Sequence, residues 1–145
     1  MKVEVATTAL LGFVPERKHD SDAGYDMRAA IPRPITIDPG DSAWVPTGVK
    51  AAIPDGYFGL QCARSGLSCN HGITLANGVG VIDSGYRGEI KAKLVNLGKR
   101  PYTIFPDDRV CQLLILPYAK VDFVQVDELD DSDRGCNGYG STGTR

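Results

Sequence analysis

Glu89-Ile90-Lys91-Ala92-Lys93-Leu94 alternates charged and apolar side chains without a break. A period of two places Ile90, Ala92 and Leu94 on one face of an extended strand and the charges on the other. Working outward, Ile35-Thr36-Ile37 and Val121-Asp122-Phe123 repeat the pattern briefly. The 17 glycines and 9 prolines leave almost no interval long enough for a helix. Prolines such as Pro32, Pro46, Pro54, Pro101 and Pro117 instead bound segments of strand length. The pattern predicts an all-β domain, a jelly-roll-like sandwich or barrel. One short helix is expected at Ser65-Gly66-Leu67-Ser68-Cys69-Asn70, stopped by Gly72. Val110 to Leu116 is apolar on both faces apart from Gln112, as a strand buried in a core or against another subunit would be.

With 145 residues the chain fits one compact domain. Residues 1–130 are assigned to the β domain. Residues 131–145 are first acidic and then glycine-rich, too poor in apolar surface to offset the entropy of ordering, and read as a mobile C-terminal tail. An apolar fraction of 42% and a charged fraction of 23% are ordinary for a soluble protein. The net charge of −2, with scattered Lys and Arg, gives no footprint for nucleic acid or for an anionic membrane. The N-terminus does not read as a signal peptide, so a cytoplasmic location is expected, or a nuclear one if the source is eukaryotic or viral. Cys62, Cys69, Cys111 and Cys136 show no C-x-x-C spacing and are expected as free thiols. His19 and His71 stand far apart, which argues against an imidazole metal site.

Gly80-Val81-Ile82-Asp83-Ser84-Gly85-Tyr86-Arg87-Gly88-Glu89-Ile90 carries the most chemistry. It predicts a β-hairpin with Asp83 and Tyr86 near the mouth, although on this segment alone turn-forming and packing are the better explanation of both residues. Arg64-Ser65-Gly66 sets a guanidinium and a hydroxyl at the start of the short helix, suited to phosphate or simply to a cap. Gln112 is a polar amide within an apolar strand and needs a partner, structural or ligand. Gly138-Tyr139-Gly140-Ser141-Thr142-Gly143 matches G-x-G-x-x-G but has neither a following helix nor a βαβ unit. A loop of that composition, with Arg134 nearby, can still wrap a polyphosphate. Ala23-Gly24-Tyr25-Asp26 alone says little.

Their order says more. Gly24-Tyr25-Asp26, Arg64-Ser65-Gly66, Gly80 to Ile90, Arg109 with Gln112, and Arg134 with the glycine tail together resemble the ordered motifs of the trimeric dUTPases, from about residue 20 to the end. The resemblance implies a homotrimer with active sites shared between subunits and an arm near residues 121–126 exchanged with a neighbour. It implies hydrolysis of dUTP to dUMP and pyrophosphate, which keeps uracil out of DNA and supplies dUMP for thymidylate synthesis. Asp83 matches the general base that activates water for in-line attack on the α-phosphorus. Tyr86 would exclude a ribose 2′-hydroxyl. Asn77, with backbone at Gly80, Val81, Ile82 and Lys91, would read uracil. Arg64, Ser65, Gly66 and Gln112 match phosphate-contacting positions, and Arg134, Tyr139, Gly140 and Ser141 would close over the nucleotide. Asp26 would support the site. Mg2+ is implied on the triphosphate, without direct protein ligands. Met27, Cys111, Tyr139 and Gly85 depart from the family's commonest residues, leucine, alanine, phenylalanine and an acid respectively. A dCTP deaminase-like enzyme shares the fold, and a non-catalytic regulatory protein on it is the rival from another class; the hairpin motif and the complete tail favour the dUTPase pattern.

Overall fold

The computed structural model describes residues 2–136. Its strands are short, as the proline spacing requires: β1 Ala6–Ala9, β2 Tyr25–Arg28, β3 Ile35–Ile37, β4 Ser42–Val45, β5 Val49–Ala52 and β6 Tyr57–Ala63. After helix α1 (Ser65–His71) follow β7 Ile73–Leu75, β8 Gly80–Ile82, β9 Ala92–Asn96, β10 Tyr102–Ile104 and β11 Arg109–Pro117. They pair antiparallel in four small sheets, ordered β2-β11-β6-β8, β4-β9-β7, β1-β5 and β10-β3. The architecture is the expected all-β, jelly-roll-like one.

One apolar core joins these sheets. Met27, Ile37, Val45, Val49, Ile73, Leu94, Ile104 and Val110 are all buried within it. Full burial of each such side chain contributes about 1.5–3 kcal/mol, so the core is the main source of stability. Ile90, Ala92 and Leu94 face inward as their alternation requires, but β9 begins only at Ala92. Helix α1 ends at Gly72, whose φ of +72° is a left-handed cap that few other residues adopt cheaply. A Cβ there would also lie 2.5 Å from the Gly98 nitrogen.

Two expectations need correction. Residues 80–94 do not form a hairpin: β8 pairs with β6, whereas β9 pairs with β4 and β7. The intervening chain crosses from one sheet to the other. It is held on the way by Thr47, whose hydroxyl donates to the Ile90 carbonyl, and by the Ile90 N–H on the Val49 carbonyl. Val121-Asp122-Phe123 forms no strand, because none of the strands among the described residues pairs with it. Val121, Phe123, Val124 and Val126 stay exposed, Phe123 at 97%. Strand β11 is central in its sheet, yet Leu114, Ile115 and Leu116 are only half-buried. They line an apolar cleft of about 800 Å³ with Val3, Val5 and Val14.

Candidate active site

β8 is an edge strand. Its ladder to β6 runs Gly59 to Ile82, Leu60 to Val81 and Gln61 to Gly80, leaving its other edge without a strand partner among the described residues. A cleft of about 770 Å³ opens there, with Gly80, Val81 and Ile82 on one side and Tyr86 and Lys91 on another. Asp83 stands at its rim directly after β8, where the Tyr86 N–H closes a turn onto the Asp83 carbonyl at 3.0 Å. The Asp83 side chain is exposed and makes no hydrogen bond or ion pair with any described residue. Its oxygens are left open to a ligand or to water.

Tyr86 is fixed by its neighbours. Its hydroxyl donates to the Glu89 carbonyl at 3.0 Å, and a Cβ on Gly88 would fall 2.3 Å from that hydroxyl oxygen. Only glycine at 88 lets the ring lie flat along the crossing segment. Glu89 is held in turn, its Oε1 accepting from the Gly48 N–H at 2.8 Å. Asn77 faces the adjoining cleft, which also includes Lys91, and its Nδ2 lies 3.7 Å from where a Gly80 Cβ would be.

A second group forms around Asp26 on β2. Its Oδ1 accepts from Arg64 Nε at 3.0 Å and from Gln112 Nε2 at 3.3 Å, while Arg109 Nη1 stands 3.4 Å from Oδ2. Arg64 Nη1 also donates to the Arg109 carbonyl at 3.1 Å. The Gln112 amide thus has its structural partner. Gly24 leaves it room, since a Cβ there would approach Gln112 Oε1 to 3.0 Å. A bulge between Arg109 and Cys111 re-aims β11 beside these residues. Next to it, Arg28 bridges the carboxylates of Glu16 and Asp107. The Arg28 guanidinium holds the Glu16 carboxyl below its usual range. Arg64, Arg109 and Arg28 share a cavity of about 360 Å³, separate from the Asp83 cleft.

Ser65 and Gly66 are exposed in the first turn of α1, with Arg64 as its N-cap residue and no side-chain capping bond. Arg134 lies in a turn at 133–136, where the Gly135 N–H bonds the Ser132 carbonyl at 2.9 Å. Tyr139, Gly140 and Ser141 lie outside the described residues. Trp44, Lys50 and Gln61 also line the Asp83 cleft and were not singled out in the sequence. Trp44 and Lys50 could be suspected only from the alternation around them, and Gln61 as a lone amide in an apolar stretch.

Edge-strand backbone, an aromatic wall, a free carboxylate and a separate guanidinium cluster define a class, a β domain that handles a small anionic ligand with a planar part. The dUTPase family model matches residues 12–143. The deoxyuridine 5'-triphosphate nucleotidohydrolase of Finegoldia magna is 45% identical over 130 residues, covering 90% of this chain and 91% of that relative. The Gloeobacter violaceus protein of the same name is 41% identical over 143 residues, covering 99% and 97%. Among solved structures, the dUTPase of Staphylococcus bacteriophage 80alpha with dUPNHPP superposes with a TM-score of 0.88 at 29% identity, covering 97% of this chain and 99% of that one. A mutant dUTPase from phage phi11 of S. aureus, described with a structural Mg(II) ion, gives a TM-score of 0.77 at 27% identity, covering 86% and 97%. The chain belongs to the dUTPase family.

Proposed function

We propose that the protein hydrolyses dUTP to dUMP and pyrophosphate, with Asp83 as general base. The observation that carries this is a carboxylate without a partner among the described residues, at the rim of the cleft between β8 and Tyr86. Water between Asp83 and the α-phosphorus gives up a proton to the carboxylate as its oxygen bonds to phosphorus. The bridging bond to the β-phosphate breaks in line, and pyrophosphate leaves with the electron pair. The edge backbone of Gly80, Val81 and Ile82, with Lys91 and Asn77, reads the uracil. Tyr86 fills the space that a 2′-hydroxyl would need. Arg64, Ser65, Gly66 and Gln112 receive the phosphates, with Arg64 and Gln112 oriented by Asp26.

The protein acts as a homotrimer, each site combining the Asp83 cleft of one subunit with the Asp26 group of another. Separate cavities for the two groups support this reading, as do the exposed apolar arm at 121–126 and the apolar cleft beside β11. The tail of a further subunit closes over the nucleotide through Arg134, Tyr139, Gly140 and Ser141. Mg2+ suits the residues lining the cleft, which include the oxygen-bearing Asp83 and Glu89 side chains and, among the described residues, no thiol or imidazole. Asp83 would hold the ion through water. When bound, the ion neutralises charge on the triphosphate. The free thiols at Cys62, Cys69, Cys111 and Cys136 support a reducing, cytoplasmic location.

The test is pyrophosphate release from dUTP, dCTP, dTTP and UTP in parallel. Turnover of dUTP with kcat/KM at least about 100-fold above each of the others is expected. Comparable turnover of UTP or dTTP would remove the roles given to Tyr86 and to the β8 edge.

A further inference from the structure

Gln61 of β6 sits opposite Gly80 of β8 and Leu113 of β11, with only 4% of its surface exposed. A carboxamide this deep is tolerated only when its groups find partners. The nitrogen finds two: Nε2 donates to the Lys91 carbonyl at 3.2 Å and to Cys111 Sγ at 3.3 Å. Because a carbonyl only accepts, Lys91 fixes the orientation of the amide, nitrogen inward and oxygen on the Gly80 side. Oε1 lies 2.8 Å from where a Gly80 Cβ would stand, so glycine at 80 leaves this oxygen uncovered. No described residue donates to Oε1. Nor is it sealed away, since no fully buried side-chain oxygen or nitrogen lacks a partner among the described residues. The oxygen keeps some exposure beside Gly80, which with Gln61 and Lys91 lines the Asp83 cleft; Gln61 and Lys91 also line the adjoining one.

We propose that Gln61 is a specificity-determining residue of the nucleotide site, presenting Oε1 as the acceptor for the imide N3–H of uracil. The inference rests on the dUTP reading above. Uracil carries its only ring donor at N3. Cytosine has a lone pair there, which would face the Gln61 oxygen without a proton between them. Thymine keeps the N3–H, so Gln61 separates uracil from cytosine but not from thymine. That asymmetry distinguishes a base-reading role from a merely structural one.

The experiment compares the full-length protein with Gln61→Met, which keeps the length and loses both polar ends. Kinetics with dUTP, dCTP and dTTP are measured beside the thermal midpoint. KM for dUTP should rise about tenfold with kcat within about twofold, as for one lost hydrogen bond to the base. The dUTP/dCTP preference should fall by a similar factor while dUTP/dTTP stays constant. An unchanged dUTP/dCTP ratio, or both ratios falling together, would overturn the assignment. Should Gln61→Met fail to fold, the unmodified protein with a nonhydrolysable α,β-imido analogue of dUTP decides the matter. An NOE between the uracil imino proton and the Gln61 side-chain amide is expected, and an imino proton with contacts only elsewhere refutes the role. Absence of dUTP turnover by the unmodified protein would instead sink the dUTP reading itself, before any variant is made.

Discussion

Asp26 and Asp83 are both aspartates at sheet edges, yet their surroundings differ completely. Asp26 is only 12% exposed at its side chain and engages Arg64, Arg109 and Gln112. Asp83 is exposed and engages none of the described side chains. A carboxylate committed to guanidinium and amide donors serves to position them. One without internal partners keeps its lone pairs for a substrate or a water molecule. On the proposed function the same group would act as scaffold in one place and as reagent in the other, in keeping with its different hydrogen bonds.

The largest effect is expected where the reagent is removed. Asp83→Asn should lower kcat by about 100- to 10,000-fold, the range of a lost general base, while dUTP still binds. Retained turnover would erase the contrast between the two aspartates. Next in size is the tail. Deleting residues 131–145 should leave a folded protein with severely reduced turnover, if the tail closes over the nucleotide as proposed. Unchanged kinetics would make the tail a bystander. Asp26→Asn should act differently from both, raising KM about 10- to 100-fold as Arg64 and Arg109 lose their shared anchor, with kcat largely kept.

The smallest effect concerns Cys111, beneath Gln61. Burial pushes its thiol up from an ordinary 9.0 to about 12, against a weaker opposing pull from the Gln61 hydrogen bond. In the native protein a thiol reagent at about pH 8 should modify the exposed Cys69 and Cys136 and spare Cys111 until unfolding. The sign for stability follows. The raised folded value leaves stability intact below 9.0, and it falls as pH climbs from there towards about 12, since the unfolded chain ionises first. Cys111→Ala should remove that alkaline component, and an unaltered pH profile in the variant would show that other groups cause it.

Local periodicity and breakers made several elements legible. Ile90, Ala92 and Leu94 share a buried face, and α1 stops at Gly72 as the composition required. Partner choice was not legible, because it depends on contacts distant in sequence. Residues 80–94 look like a hairpin locally, yet β8 finds β6 and β9 finds β4 and β7. The alternation at 121–123 was real, but a strand needs a neighbour and the described residues offer none. The site shows the same division. Asp83 and Tyr86 stand in one short motif, whereas Asp26 acquires its meaning from Arg64 and Gln112, 38 and 86 residues away. Gln61 belonged to no motif, and only the packing of Gly80, Lys91 and Cys111 around it gives it a role.

The most direct test is the single-turnover rate of Asp83→Asn and Asp26→Asn side by side at saturating dUTP. A rate at least about 100-fold lower is expected for Asp83→Asn than for Asp26→Asn. Equal rates in the two variants would contradict the division between reagent and scaffold.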